Sequence, residues 1–219
     1  MKKLIAVVML FFFAPSLHAL TIGFRGTIIQ VFDPDNFIDG RVNIGDTFSG
    51  SITYDFSSYT LIEHPNLAIY VYNTYPNAIT VELNGLVFMT NPDGGRLRIN
   101  VTNDRPEGIP DVLSFISNAS NIFFGEVMTL SSLYWHLSDT TGTALSSLEL
   151  PVAPPTLSDY NLNTFYIQRF ADGVGDIGYD IIGNVTFAEQ YAPIPEPMTA
   201  ILSFIGFTLL GWRFRKNCV

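Results

Sequence analysis

Carboxylates set close together in turn-forming sequence are the groups in this chain best placed to do chemistry. Asp33-Pro34-Asp35-Asn36-Phe37-Ile38-Asp39-Gly40 brings four oxygen-bearing side chains into seven positions. Asp172-Gly173-Val174-Gly175-Asp176, with Asp180 beyond it, forms a second group. Hard cations take several oxygen ligands from a flexible loop, so calcium is the cofactor these donors suit. The candidate ligands are Asp33, Asp35, Asn36 and Asp39 in one loop, and Asp172, Asp176 and Asp180 in the other. Neither run has the EF-hand spacing with Gly at its sixth position. Asp and Asn also form turns for local reasons, and spacing alone leaves both roles open.

Other chemistries find less support. Outside the first 19 residues the histidines are His64 and His136, and there is no Gly-x-Ser-x-Gly elbow. Two isolated histidines with no nearby cysteine give no zinc spacing. Gly173-x-Gly175 is followed by no helical pattern, so it reads as a turn and not as a phosphate cradle. Twenty acids make chance carboxylate pairs common, so a glycosidase pair is a weak signal. A secreted hydrolase is therefore an alternative rather than the reading. Tyr54, Tyr59, Tyr70, Tyr72 and Tyr75 cluster in sequence, and exposed rings there would stack on sugars, whereas buried ones would serve only strand packing.

The elements that must position these residues are strands. Thr47–Asp55 alternates Phe48, Gly50, Ile52 and Tyr54 with a hydroxyl face of Thr47, Ser49, Ser51 and Thr53. Ala78–Leu83, Gly85–Thr90 and Arg96–Thr102 read together as a meander, with Asn84-Gly85 as a hairpin signal and 91–95 as the second turn. Further strands are expected at 22–32, 67–72, 111–117, 131–138, 163–170 and 178–188. Glu126–Leu137 is the best helix candidate, weakened by Ser131-Ser132 and Tyr134-Trp135. The proline-rich stretch 150–157 reads as a long loop between strands. About ten short strands predict an all-β body over 20–192, an antiparallel β-sandwich or jelly roll.

Composition fits a packed body: 47% hydrophobic, 18 Phe and 10 Tyr exclude a solvated disordered chain. One Cys in 219 residues excludes a disulfide scaffold. The net charge of −9 excludes a phosphate-backbone binder, so no nucleic acid partner is expected. That charge is unevenly placed. Residues 1–19 read as a signal peptide, with Lys2 and Lys3 before an apolar run from Leu4 to Ala14 and Ala19 at the cleavage edge. Residues 198–212 form a second apolar run, followed by the basic Arg213, Arg215 and Lys216 in the end segment 213–219. These features predict a transmembrane helix whose basic end stays in the cytoplasm. With those five terminal cations set aside, six Arg face 20 acids, a formal charge of −14.

Pro195, Glu196 and Pro197 stand immediately before the second apolar run. The order Pro-Glu-Pro, apolar helix, basic end over 193–219 resembles the PEP-CTERM sorting tail. The prolines keep the segment extended and free of helix, as entry to a protease cleft requires. The body is similar to a recurring group of such proteins at Phe24-Arg25-Gly26-Thr27-Ile28, at Ile44–Asp55 and at Asp139-Thr140-Thr141-Gly142-Thr143-Ala144-Leu145. The resemblance implies recognition of the tail by an exosortase-type processing enzyme, a transient inner-membrane anchor, and release to the cell surface or matrix. It implies a role in exopolysaccharide or biofilm with no assigned reaction. The expected function is thus a secreted, non-enzymatic surface protein, with polysaccharide as its expected partner. A calcium-dependent carbohydrate-binding or adhesive module is the alternative.

Overall fold

The computed structural model describes residues 19–103, 109–118, 121–123, 126–128, 131–170 and 177–191. The expected signal peptide and the sorting tail, including Pro195, Glu196, Pro197, Arg213, Arg215 and Lys216, lie outside the described residues. Among the described residues no helix is long and apolar enough to cross a membrane.

Among the described residues thirteen strands are present: β1 (Ala19–Phe32), β2 (Thr47–Asp55), β3 (Thr60–His64), β4 (Leu67–Tyr72), β5 (Ala78–Leu83), β6 (Leu86–Thr90), β7 (Arg96–Thr102), β8 (Asp111–Asn118), β9 (Asn121–Phe123), β10 (Glu126–Met128), β11 (Ser131–Asp139), β12 (Leu162–Phe170) and β13 (Ile177–Tyr191). All pair antiparallel in one sheet of order β10-β9-β6-β5-β2-β1-β13-β12-β11-β8-β7-β4-β3. The all-β antiparallel expectation holds, but two separate sheets do not form. One sheet curls on itself, and its two halves face each other as walls. The first wall runs from β10 to β1, the second from β13 to β3.

The long pair β1–β13 joins the walls, and its register slips at Arg25/Gly26 and at Ile28/Gln30. Such bulges bend a strand and increase its twist, so the fold line of the sheet lies where they do. Close packing there depends on glycines opposite rings. Phe24 faces Gly50 and Phe48 faces Gly26 across the β1–β2 ladder. A Cβ on Gly26 would lie 2.2 Å from the Asn184 carbonyl oxygen and 2.5 Å from the Phe48 ring. Only a residue with no side chain fits.

Alternation sends one face of every strand inward. In β5 (Ala78–Leu83) the buried residues are Ile79, Val81 and Leu83, and in β7 they include Leu97, Ile99 and Val101. A chain of rings spans the interior. Phe48, Phe165, Phe24, Trp135, Phe115 and Tyr54 follow one another at centroid separations of 5.6, 5.1, 5.3, 5.5 and 6.0 Å. Three of these come from each wall, so ring packing, worth about 0.5–1.5 kcal/mol per pair beyond burial, fastens the walls together.

Two expectations are corrected. The described residues of the helix candidate Glu126–Leu137 are strand, in β10 and β11. Two-residue alternation of Leu133, Trp135 and Leu137 toward the core decides against it. The meander is also incomplete. Asn84 and Gly85, at φ 50° and 79°, turn β5 into β6 as a hairpin. The next turn instead carries the chain across to the other wall, where β7 pairs with β4 and β8. The stretch 150–157 is part of a long loop, as expected, and Leu145, Leu148 and Leu157 pack from it against the core.

Candidate functional site

The first carboxylate loop is organised by local hydrogen bonds. Asp33 accepts from the backbone N–H of Phe37 at 2.8 Å and of Ile38 at 3.0 Å. Asn36 and Asp39 take left-handed backbone, φ 58° and 54°, which their short polar side chains tolerate. Ile38 plugs into the core while Asp35, Asn36 and Asp39 stay exposed. Of the second group, Asp172 and Asp176 lie outside the described residues. Asp180 stands on the outer face of β13, opposite Gln168, and burial pushes its carboxyl up while that neighbour's hydrogen bond draws it back in part. Among the described residues no three His, Cys, Asp or Glu side chains converge as a metal would need.

Asp139, in a motif singled out by resemblance, is a loop clamp. Its carboxylate accepts from the backbone N–H of Thr141 at 2.9 Å, of Thr143 at 2.8 Å and of Ala144 at 3.1 Å, and from the Thr141 hydroxyl. Those donors hold the carboxyl well below the usual range. Its register partner Asp111 accepts from the next N–H along, that of Leu145 at 3.1 Å. Both acids are spent on the loop that covers the interior.

The tyrosine cluster divides by strand parity. Tyr54, Tyr70 and Tyr72 point inward and are buried. The Tyr54 hydroxyl donates to the Pro151 carbonyl and the Tyr70 hydroxyl to the Leu148 carbonyl, both at 2.8 Å. Burial raises all three phenols. Tyr54 and Tyr70 hold the covering loop, Tyr72 donates to the Asp55 carbonyl at 2.9 Å, and stacking on a ligand is closed to all three; Tyr75 alone of the five is largely exposed.

The outward rings are elsewhere, on the second wall. Cross-strand register places Val71, Arg98, Ile116, Tyr134, Tyr166 and Ile182 in one row running from β4 to β13. The next row holds Asn100, Ser114, His136 and Thr164. Strands about 4.8 Å apart set these groups at regular intervals. Tyr134 and Tyr166 stack, with centroids 5.5 Å apart and planes at 20°. The Tyr134 hydroxyl lies 2.6 Å from His136 Nδ1. Burial pushes the His136 imidazole down and so favours its neutral form, whose tautomer sets which of the two groups donates in that bond. Burial raises the Tyr134 phenol, while the Ser114 hydroxyl and the positive charge of Arg98 pull it back. Beside the rings, Arg98 Nε and Asn100 Oδ1 are buried without a hydrogen-bond partner.

The first wall carries a different outer surface. An open cleft of about 180 Å³ is lined by Ser49, Gly50, Ser51, Thr80, Glu82 and Tyr191. Glu82 is the one carboxylate in that lining. Thr21 and Thr53 bond to each other through their hydroxyls at 3.1 Å, and the Tyr191 ring lies over Gly23.

Sequence reasoning recognised His136 as a strand residue but passed over Tyr134, Tyr166, Arg98 and Asn100. The available signal was parity: with Trp135 inward, Tyr134 and His136 must share the outer face. No protein-family model, curated protein or solved structure matches the chain.

Proposed function

We propose that this chain is an exported, non-enzymatic protein of the cell surface or extracellular matrix, and that its β-body contacts extracellular polysaccharide. The Pro195-Glu196-Pro197 tail supports processing by an exosortase-type enzyme after a transient stay in the inner membrane. The observation that carries the binding role is the outward Tyr134–Tyr166 pair, flanked by polar atoms that lack partners within the protein. Sugars present apolar ring faces edged with hydroxyls. An outward aromatic pair matches those apolar ring faces. Calcium at the Asp33 loop remains a proposal of its own, resting on the donor types alone.

Two measurements test the reading. A peptide tag added after Val219 should be lost from mature surface protein, and surface material that still carries the tag would refute processing. Full-length protein should be slowed in native gels containing the matrix polysaccharide of the producing cells, and unchanged mobility would refute binding.

A further inference from the structure

We propose that the cleft on the outer face of the first wall takes an amino sugar of a cationic polysaccharide, with the sugar ammonium on Glu82 and the sugar ring against Tyr191. This is a second site, apart from the Tyr134–Tyr166 pair, and its choice of a sugar rests on the polysaccharide reading above.

The first support is shape. Gly23 on β1, Ser51 on β2 and Thr80 on β5 face one another in one cross-strand row, with Ser49 in the next. These small residues leave a shallow floor of hydroxyls. The Tyr191 ring lies over Gly23, and a Cβ on Gly23 would come within 2.3 Å of that ring. The ring therefore bounds the cleft on one side, and Glu82, paired with Ser49, bounds it on the other. A sugar has the matching pattern, an apolar ring face with hydroxyls at its edges.

The second support is the Glu82 carboxylate. It is exposed and lines the cleft. The cation in its cross-strand row is Arg25, on the far side of Ser49. The Arg25 guanidinium lies over the Phe187 ring at 4.3 Å, toward β13 and away from Glu82. A ligand ammonium would meet Glu82 with a charge-assisted hydrogen bond, stronger than one from an uncharged donor. A neutral polymer brings that carboxylate little beyond what water supplies, so it is left to the second wall.

The third support is charge at longer range. Glu189 pairs with Gly23 and so adds a second carboxylate to the row of Ser51 and Thr80. The body as a whole carries −14, which draws a polycation in and turns an acidic polymer away. The net charge steers, and the cleft selects. A lysine side chain also brings an ammonium, but it has neither a ring to lie against Tyr191 nor hydroxyls to meet the floor.

The test is titration calorimetry on full-length protein in micelles of uncharged detergent, in buffer that keeps the sugar amine protonated. The probes are a glucosamine hexamer, its fully N-acetylated form and hexalysine. The glucosamine hexamer is expected to bind about tenfold more tightly than the acetylated one. Glu82→Gln should bring it down to the acetylated level, whereas Glu149→Gln, which removes an equal charge from the covering loop, should leave it unchanged. Tyr191→Ala should weaken the glucosamine hexamer and not hexalysine. Equal binding of the two hexamers, Glu82→Gln binding like the parent, or Glu149→Gln losing as much as Glu82→Gln overturns the cleft assignment. Hexalysine bound as tightly as the glucosamine hexamer, with the same loss in Tyr191→Ala, overturns the sugar in favour of a lysine-bearing protein. Each of these outcomes leaves the polysaccharide reading standing where the matrix polysaccharide still slows the protein in native gels, and loss of that slowing as well overturns both. Should a variant fail to fold, judged by its thermal melt, the three-probe comparison on the parent protein decides alone.

Discussion

The outer faces of the two walls come from the same alternation, yet they end in opposite surface chemistry. On β1, β2 and β5 the outward residues include the hydroxylated Thr21, Ser49, Ser51, Thr53 and Thr80 beside the charged Arg25 and Glu82, and Thr21 and Thr53 bond to each other. Cross-strand hydroxyl pairs of this kind add a few tenths to about 1 kcal/mol to the ladder. On β7, β8, β11 and β12 the outward residues include the large Arg98, Ile116, Tyr134 and Tyr166 beside Ser114 and Thr164, and Arg98 Nε and Asn100 Oδ1 are left unmet. A strand's inward residues answer to packing, while its outward residues are free to vary. Where the outward set closes on itself it serves the sheet. Where it sets aromatic rings outward, it offers a ligand an apolar face that hydroxyls do not.

The largest expected effect removes the comparison altogether. Gly26→Val places atoms where the Asn184 carbonyl already lies, at 2.2 Å from the first added carbon. Backbone cannot yield as a flexible side chain does, so the β1–β13 joint should open at a cost of about 3 kcal/mol or more. Loss of a cooperative thermal transition is expected, and a native-like melt would show that the walls do not depend on this joint. Gly85→Ala is the contrast. No atom lies within 4 Å of its added carbon, but φ is +79°, so only the left-handed backbone penalty of about 1–2 kcal/mol applies.

Asp139→Ala comes next. It frees three backbone N–H groups and the Thr141 hydroxyl, so the loop over Tyr54 and Tyr70 should loosen. Faster amide exchange at Thr141, Thr143 and Ala144 is the readout, and unchanged protection would remove the clamp. The acid side gives the same answer by another route. The Asp139 carboxyl is held low in the folded state, so its stabilisation is complete above its ordinary value near 3.9 and fades as pH falls below it. Asp139→Ala should flatten that part of the stability curve.

Much of the fold was legible, for reasons that residues make plain. Thr47–Asp55, Leu67–Tyr72, Ala78–Leu83 and Arg96–Thr102 match the expected strands end for end, because alternation stops where Asn, Asp, Gly and Pro begin. Strand order was not legible. The turn at 91–95 has the composition of a hairpin whether β7 folds back on β6 or crosses to the facing wall, and the inward period of two is the same in either case. The edge strand β3 (Thr60–His64) is exposed at every residue, so no burial pattern marked it. The site was hidden by the same logic. Five tyrosines close in sequence drew attention, but parity sends Tyr54, Tyr70 and Tyr72 inside. The pair that faces out, Tyr134 and Tyr166, is assembled from β11 and β12 across a long loop.

Smaller effects separate the two faces directly. Tyr134→Ala should reduce retention by polysaccharide roughly two- to thirteenfold, the value of one aromatic contact of about 0.5–1.5 kcal/mol. Ser51→Ala, on the hydroxyl face, should change neither retention nor stability beyond about 0.5 kcal/mol. Reversal of that order, with Ser51→Ala the more damaging to retention, would move the binding face to the first wall and its cleft beside Tyr191.

The smallest effect sharpens the comparison by pH. His136 lies on the outer face of the second wall, while the first wall's cleft has no histidine in its lining. Burial favours the neutral His136 imidazole in the folded chain, so the unfolded chain binds the proton more readily. Stability must therefore fall as pH drops below the ordinary histidine value of about 6.5, until the folded form also protonates. Protonation places a hydrogen on Nδ1, so the Tyr134 oxygen is then the acceptor in that contact and its hydroxyl must turn to another partner. His136→Gln should flatten the stability curve over this interval and remove any accompanying change in Tyr134 fluorescence or ring resonances. A curve whose slope survives the substitution would mean that the second wall's platform is not what responds, and that its rings are held by stacking on Tyr166 alone.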